Sequence, residues 1–248
     1  DINFMLKSII KNNNIDGDDY WISVSDLMAG LMVVFLFIMV IYARTSDQRL
    51  QTAQEIITEW RDTEYAIYLA LKDEFESDLE RWNAIIERES LTIRFLSPDI
   101  LFKTGEADLS PEFKIILEDF MPRYIGLLAD QFSEAVDEVR IKGHTSSEWN
   151  NSLSDNEAFI KNMSLSQART RSVLEYSLAI SYIQELTPWM IKTVSANGMS
   201  SARLIHNTNG DEDKRLSKRV EFRIKTKSQE AMFNLIENIA PGVRKAFR

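Results

Sequence analysis

In the pattern of apolar and polar positions, the strongest signal is a run from Trp21 to Tyr42 that carries a single charge, Asp26. Leu27–Ala43 is uncharged, and with residues 21–26 added it reaches the ~20 residues that a helix needs to cross a hydrocarbon core. Trp21 and Tyr42 bracket the run as the aromatic belts of a span would. A signal peptide would have a shorter apolar region behind a basic start, with a small-residue cleavage site. A buried core helix would not lead into a segment as polar as the one that follows Ala43. The pattern therefore predicts a short polar tail over 1–20 and a transmembrane helix over 21–43.

From residue 44 to 89 there is neither Pro nor Gly. Apolar residues recur at Ile57, Trp60, Tyr68, Leu71, Phe75, Leu79, Trp82 and Ile86. After Tyr68 the steps are three or four, which is helical spacing. This predicts a helical linker over 44–89. Its apolar stripe must pack on a second copy, on a partner or on the following domain.

The character changes at Ser90. Leu91–Phe95 alternates like a strand. Ser110-Pro111-Glu112 reads as the N-cap and first turn of a helix, with Pro122 as an interruption or kink. Val139–Lys142 predicts a second strand, ended by Gly143. A polar loop is expected from about His144 to Ser164, and a helix from near Ser166. Ile191–Ala196 predicts a third strand and Asn207–Asp211 a loop. Lys218–Lys225 alternates charged and apolar groups as a half-buried strand does. Strands alternating with helices predict an α/β or α+β domain with a mixed sheet over 90–228. A helical tail follows over 229–248.

Composition narrows the function. The 248 residues carry a formal net charge of −9, which argues against nucleic-acid binding through a basic face. With no cysteine there are no disulfides, thiolate metal sites or cysteine nucleophiles. Only two histidines are present, with no Gly-x-x-x-x-Gly-Lys phosphate loop and no metal-ligand spacing. An enzyme reading is therefore poor, and no cofactor or metal is expected.

Asp26 is the candidate for chemistry. A carboxyl group in hydrocarbon costs about 2.5–3.5 kcal/mol on insertion scales, so it is rare there and points to ion or proton movement. On a helix Asp26 shares a face with Ala29, Gly30, Val33, Phe37 and Val40. The small Ala29 and Gly30 let another helix come close. Ser23 and Ser25 offer further oxygens if the ion is sodium. The alternative for Asp26 is an interfacial residue about one turn inside Trp21. Charge does not orient the span, because Lys7 and Lys11 before it balance Arg44 and Arg49 after it.

Four short motifs, in chain order, resemble the OmpA-like peptidoglycan-binding domain of MotB-type stator subunits. Ile93-Arg94-Phe95 with Phe102, Gly105, Ala107 and Leu109 looks like the opening strand and its turn. Val139-Arg140-Ile141-Lys142-Gly143-His144-Thr145 looks like the strand before Gly-His-Thr-Asp. Asn162-Met163-Ser164-Leu165-Ser166-Gln167-Ala168-Arg169 looks like the Asn-x-x-Leu-Ser-x-x-Arg helix start. Lys218-Arg219-Val220-Glu221 looks like the closing Arg-Arg-Val-Glu strand. Together they cover a little over half the chain. Trp21-Ile22-x-x-x-Asp26-Leu27-Met28, followed by Leu31, resembles the stator helix. In combination with the outer domain, Ser23–Gly30 is similar to the B subunits of Zorya anti-phage systems.

The resemblance implies a single-pass protein of the bacterial inner membrane, with a cytoplasmic amino terminus and a periplasmic OmpA-like domain. It implies a homodimer inside a ring of MotA- or ZorA-like multi-span subunits. Asp26 would carry a proton, with sodium as the alternative. A peptidoglycan site would draw on His144, Thr145, Ser146, Asn162, Ser166, Arg169 and Arg219. Stem-peptide carboxylates suit the Arg169 guanidinium, which a helix start near Ser166 would place beside free backbone N–H groups. The family's Asp after Gly-His-Thr is Ser146 here, which leaves Glu148, Asp155 or Glu157 to supply that charge. The structural alternatives are an ion pair between Arg169 and an acid such as Glu221, and His144 as a turn residue. The functional alternatives are a flagellar MotB-like stator and a passive membrane-to-wall anchor, which would tolerate loss of Asp26.

Overall fold

A computed structural model of the chain describes residues 15–96, 98–103, 105–149, 154–229 and 231. Residues 1–14 of the expected tail and nearly all of the expected helix over 229–248 lie outside the described residues. The chain divides into two units, Asp1–Glu55 and Ile56–Arg248. Helix α1 (Ile15–Leu79) contributes to both.

In the first unit α1 exposes apolar side chains all round. Leu31 is 68%, Phe35 61% and Phe37 65% exposed. Such a surface has no stable place in water. Among the described residues α1 is the one helix long and apolar enough to cross a membrane.

In the second unit the stripe on α1 finds its packing partner within the chain. Ile67, Leu71 and Phe75, at four-residue steps, are fully buried in the core of the following domain. The helix ends at Leu79 rather than continuing toward residue 89. Asn83 adopts φ 47°, a left-handed conformation that Asn tolerates better than most residues, and the chain reverses into β1 (Ala84–Glu87). Trp82 and Ile86 mimic helical spacing, yet Trp82 lies in the turn and Ile86 in the strand.

β2 (Thr92–Phe95) pairs antiparallel with β1. A short helix α2 (Pro98–Leu101) precedes α3 (Pro111–Gln131). Ser110 caps α3 as expected: its hydroxyl accepts from the Phe113 N–H at 3.0 Å, and Pro111 occupies the first turn. Pro122 lies inside α3, which runs on past it to Gln131. β3 (Val136–His144) is longer than the expected strand.

Helix α4 (Asp155–Ala179) starts well before Ser166. Ser154 and Glu157 form a reciprocal capping box at its start, and its first turns are largely exposed. After a 3₁₀ turn (Ser181–Leu186), α5 (Thr187–Thr193) takes up the first half of the expected third strand. Pro188 pre-sets its first turn. β4 (Val194–Gly198), α6 (Lys214–Ser217) and β5 (Arg219–Thr226) complete the described fold.

The sheet order is β1-β2-β5-β3-β4. β3 and β4 are parallel and the other neighbours antiparallel, so the sheet is mixed, as expected. One face packs an aromatic cluster, with Phe95, Phe120 and Phe222 at ring separations of 5.3, 5.8 and 5.0 Å. Burying each such ring contributes roughly 1.5–3 kcal/mol. Arg123 on α3 holds α1, through Glu74 at 2.6 Å and Asp78 at 2.9 Å. α4 approaches β3 closely at Gly143, where an added Cβ would lie 2.7 Å from Thr170 Cγ2 and 2.9 Å from the Ser166 carbonyl oxygen. The Gly143-His144-Thr145 motif and the Asn162–Arg169 motif are thus two sides of one helix–strand contact.

Candidate functional site

Within the first unit, Asp26 lies on α1 with Ala29 and Gly30 on its face. Ser23, three residues back, shares the side of the helix that carries Asp26, whereas Ser25 does not. A Cβ at Gly30 would meet nothing within 4 Å, so the chain's own fold does not require a glycine there.

Within the second unit, a shallow cleft is lined by Leu101, Phe102, Gly143, His144, Arg169, Lys218, Arg219 and Val220. Arg169 is half-buried and lies about four turns into α4, because that helix begins at Asp155. Free N–H groups of a helix start therefore do not surround it. Its Nε donates to the Glu106 carbonyl at 2.8 Å and its Nη2 to the Lys103 carbonyl at 3.2 Å. The guanidinium carbon sits 4.7 Å from the centre of the Phe102 ring. Burial pushes the Arg169 pKa down to about 10, so it stays charged at neutral pH. Among the described residues no carboxylate pairs with it.

The acid that the alternative reading assigned to Arg169 is occupied elsewhere. Glu221 accepts from Arg219 Nε at 2.7 Å and from Arg94 Nε at 2.9 Å. His144 Nε2 lies 3.3 Å from its other oxygen. Burial opposes the Glu221 charge, but the close His144 imidazole and the Arg219 guanidinium outweigh it and depress its pKa. Burial lowers the His144 pKa, against the Glu221 contact that raises it. Arg219 also donates to the Ser217 carbonyl at 3.0 Å and the Arg203 carbonyl at 3.2 Å. Arg219 and His144 thus brace one wall of the cleft.

The remaining expected site residues knit the loop behind that wall. Thr145 and Ser146 are buried. Asn162 Nδ2 donates to the Glu148 carbonyl at 3.3 Å. The Ser166 hydroxyl donates to the Met163 carbonyl and accepts from the Ser200 N–H at 3.0 Å. Ser200 adopts φ 51° and returns its own carbonyl to the Thr145 N–H at 3.0 Å. Such a strained non-glycine residue is held by its surroundings.

None of the three acids expected to replace the missing Asp pairs with Arg169. Glu148 pairs with Lys214 at 3.2 Å, Glu157 caps α4, and Asp155 opens that helix. The acid beside the Ser146 loop is Glu212, which accepts from the Ser147 N–H at 3.0 Å and from its hydroxyl. Sequence reasoning missed Glu212, Ser200, and the roles of Phe102 and Lys218 in the cleft. Lys218 carried a signal in its place beside Arg219; Glu212 carried none, being distant along the chain.

No protein-family signature matches the chain. It is 40% identical to the Zorya protein ZorB of Escherichia coli over 220 residues, which is 89% of this chain and 93% of that protein. Among solved structures, a putative MotB-like protein from Desulfovibrio vulgaris is similar at a TM-score of 0.46 and 20% identity, covering 71% of this chain and 99% of that one. The cell wall anchor of the T6SS from Pseudomonas aeruginosa is similar at 0.44 and 20% identity, covering 63% and 97%.

Proposed function

This chain belongs to the family of the Zorya protein ZorB, and from that premise we propose that it is the wall-anchored stator subunit of a Zorya-type anti-phage complex in the bacterial inner membrane. Its span is driven by ion flow through Asp26. The observation that carries this reading is the single carboxylate in a span that exposes apolar side chains all round, beside a glycine, Gly30, that the chain's own fold does not need. A homodimer of spans sits within a ring of multi-span ZorA-like subunits, with Ala29 and Gly30 at the contact. Asp26 takes a proton from one side and releases it to the other as its surroundings change, and sodium is the alternative ion. The membrane potential biases the cycle by about 2.3 kcal/mol per charge per 100 mV. The amino terminus is cytoplasmic and the second unit is periplasmic.

The periplasmic unit holds the wall so that movement of the ring becomes torque or a transmitted signal. The half-buried Arg169, without a carboxylate of its own among the described residues, suits a stem-peptide carboxylate. Co-purification with the neighbouring multi-span subunit, combined with phage plating on cells that carry wild-type or Asp26→Asn protein, tests the reading. Asp26→Asn is expected to co-purify normally and to lose protection. Full protection by that variant would leave a passive anchor instead.

A further inference from the structure

Beyond the Arg169 cleft, strand register gathers a second set of charges on the face of the sheet away from the aromatic core. Arg140 and Lys142 on β3 stand opposite Arg223 and Glu221 on β5. Arg140 and Arg223 are direct cross-strand neighbours, and like charges so placed destabilise a sheet. Arg203, from the turn after β4, lies close enough to act on Lys142.

The carboxylates of this face are already taken. Glu138 pairs with Arg140 at 2.6 Å and accepts from Ser195 Oγ at 2.6 Å. Glu221 is held by Arg94 and Arg219. Glu64, on α1, acts on Arg223 without pairing with it, and burial raises the Glu64 pKa toward the neutral acid. Among the described residues Lys142, Arg203 and Arg223 form no ion pair. Burial and Arg223 together lower the Lys142 pKa. A chain of net charge −9 thus concentrates unneutralised positive charge on one half-buried face.

The face continues from the cleft. Arg219 lines the cleft and stands opposite His144 at the end of the same strand pair. The row through Lys142 runs Arg94, Glu221, Lys142 and Asn197, without an apolar side chain. Protein interfaces draw most of their energy from central aromatic, apolar or arginine anchors, and this row offers no aromatic or apolar side chain. Nucleic acid would need a continuous positive track, which Glu138 and Glu221 interrupt.

We propose that Lys142, Arg203 and Arg223 form a second anion site for the wall polymer, taking stem-peptide carboxylates beyond the one that faces Arg169. The inference rests on the wall-anchoring reading above. It predicts that the anchor engages more than one stem peptide at once, which raises its hold by avidity.

The test uses the full chain, purified in detergent with its membrane partner, and insoluble cell-wall sacculi. Sacculi are used as isolated or with their carboxylates capped by methylamine. The variant pair Lys142→Gln with Arg223→Gln should bind native sacculi about tenfold more weakly, the scale of losing hydrogen bonds to charged groups. Its binding should also respond less to salt, and Lys142→Arg alone should retain wild-type binding. Wild type and the double variant should bind capped sacculi equally. Wild-type binding by the double variant, while Arg169→Ala still weakens it, overturns the second site and leaves the anchor standing. No binding of native sacculi by the wild type overturns both. Tighter binding of the wild type to poly-glutamate or to nucleic acid than to sacculi overturns the choice of ligand.

Discussion

Arg169 holds its guanidinium 4.7 Å from the centre of the Phe102 ring and hydrogen-bonds two carbonyls of the loop that follows that ring. The planar fork is thereby oriented by the protein before any ligand arrives. Arg169→Ala should weaken sacculus binding about tenfold or more, and Arg169→Lys should recover only part of it, because lysine keeps the charge but not the fork. A pull-down on isolated sacculi reads this directly. Full recovery by lysine would show that charge alone suffices.

The buried pair His144 and Glu221 predicts how stability depends on pH. Burial lowers the His144 pKa in the fold, so the unfolded chain binds this proton more readily. The His144 contribution is present above about pH 6.5 and is lost as pH falls below it. The Glu221 pKa is also depressed, so its contribution is present above about pH 4.3 and is lost in stronger acid. Thermal unfolding of the full chain in detergent should show a Tm that falls from neutral toward mildly acid pH. His144→Asn should flatten that part of the curve. A wild-type Tm that stays constant across the range contradicts the sign.

Gly143 lies directly under α4. Alanine there would press on the Ser166 carbonyl, at 2.9 Å, and on Thr170 Cγ2, at 2.7 Å. Gly143→Ala should cost about 1–3 kcal/mol, the usual range for overpacking. It should also weaken sacculus binding, because the helix that carries Arg169 must shift. Denaturant unfolding measures the first effect, and an unchanged midpoint would mean that α4 yields freely.

Arg123 ties α1 to α3 through Glu74 and Asp78, pairs with Asp119 one turn back on α3, and holds its guanidinium carbon 4.9 Å from the centre of the Phe75 ring. Its side chain is 31% exposed, so solvent screens part of the gain. Arg123→Ala should destabilise the second unit by about 1–3 kcal/mol, measured as a shift in the unfolding midpoint. A smaller loss would assign the α1 contact to Ile67, Leu71 and Phe75 alone.

Much of the architecture was legible where a residue's local role and its burial agree. Ser110-Pro111 announced α3, and the alternation at Lys218–Lys225 announced β5, because cap chemistry and period-two burial act locally. β1 was hidden because Trp82 and Ile86 repeat the step of the preceding helix; the break depends on Asn83 taking a left-handed φ. The start of α4 was hidden because its first turns are largely exposed and mix polar with apolar residues, which reads as a loop. The Ser154-x-x-Glu157 capping box was the available signal. At the site, Arg169 and the His144 wall were legible from short motifs. Glu212 was not, since only the folded loops bring it to Ser147.

The central claim is that Asp26 carries the ion, and proton flux tests it most directly. Vesicles would hold the full chain with its multi-span partner, under an imposed potential, with a pH-sensitive dye inside. The wild-type complex should acidify the lumen. Asp26→Asn should assemble in equal amount and show no flux above empty vesicles. Proton flux through Asp26→Asn at the wild-type rate would contradict the account.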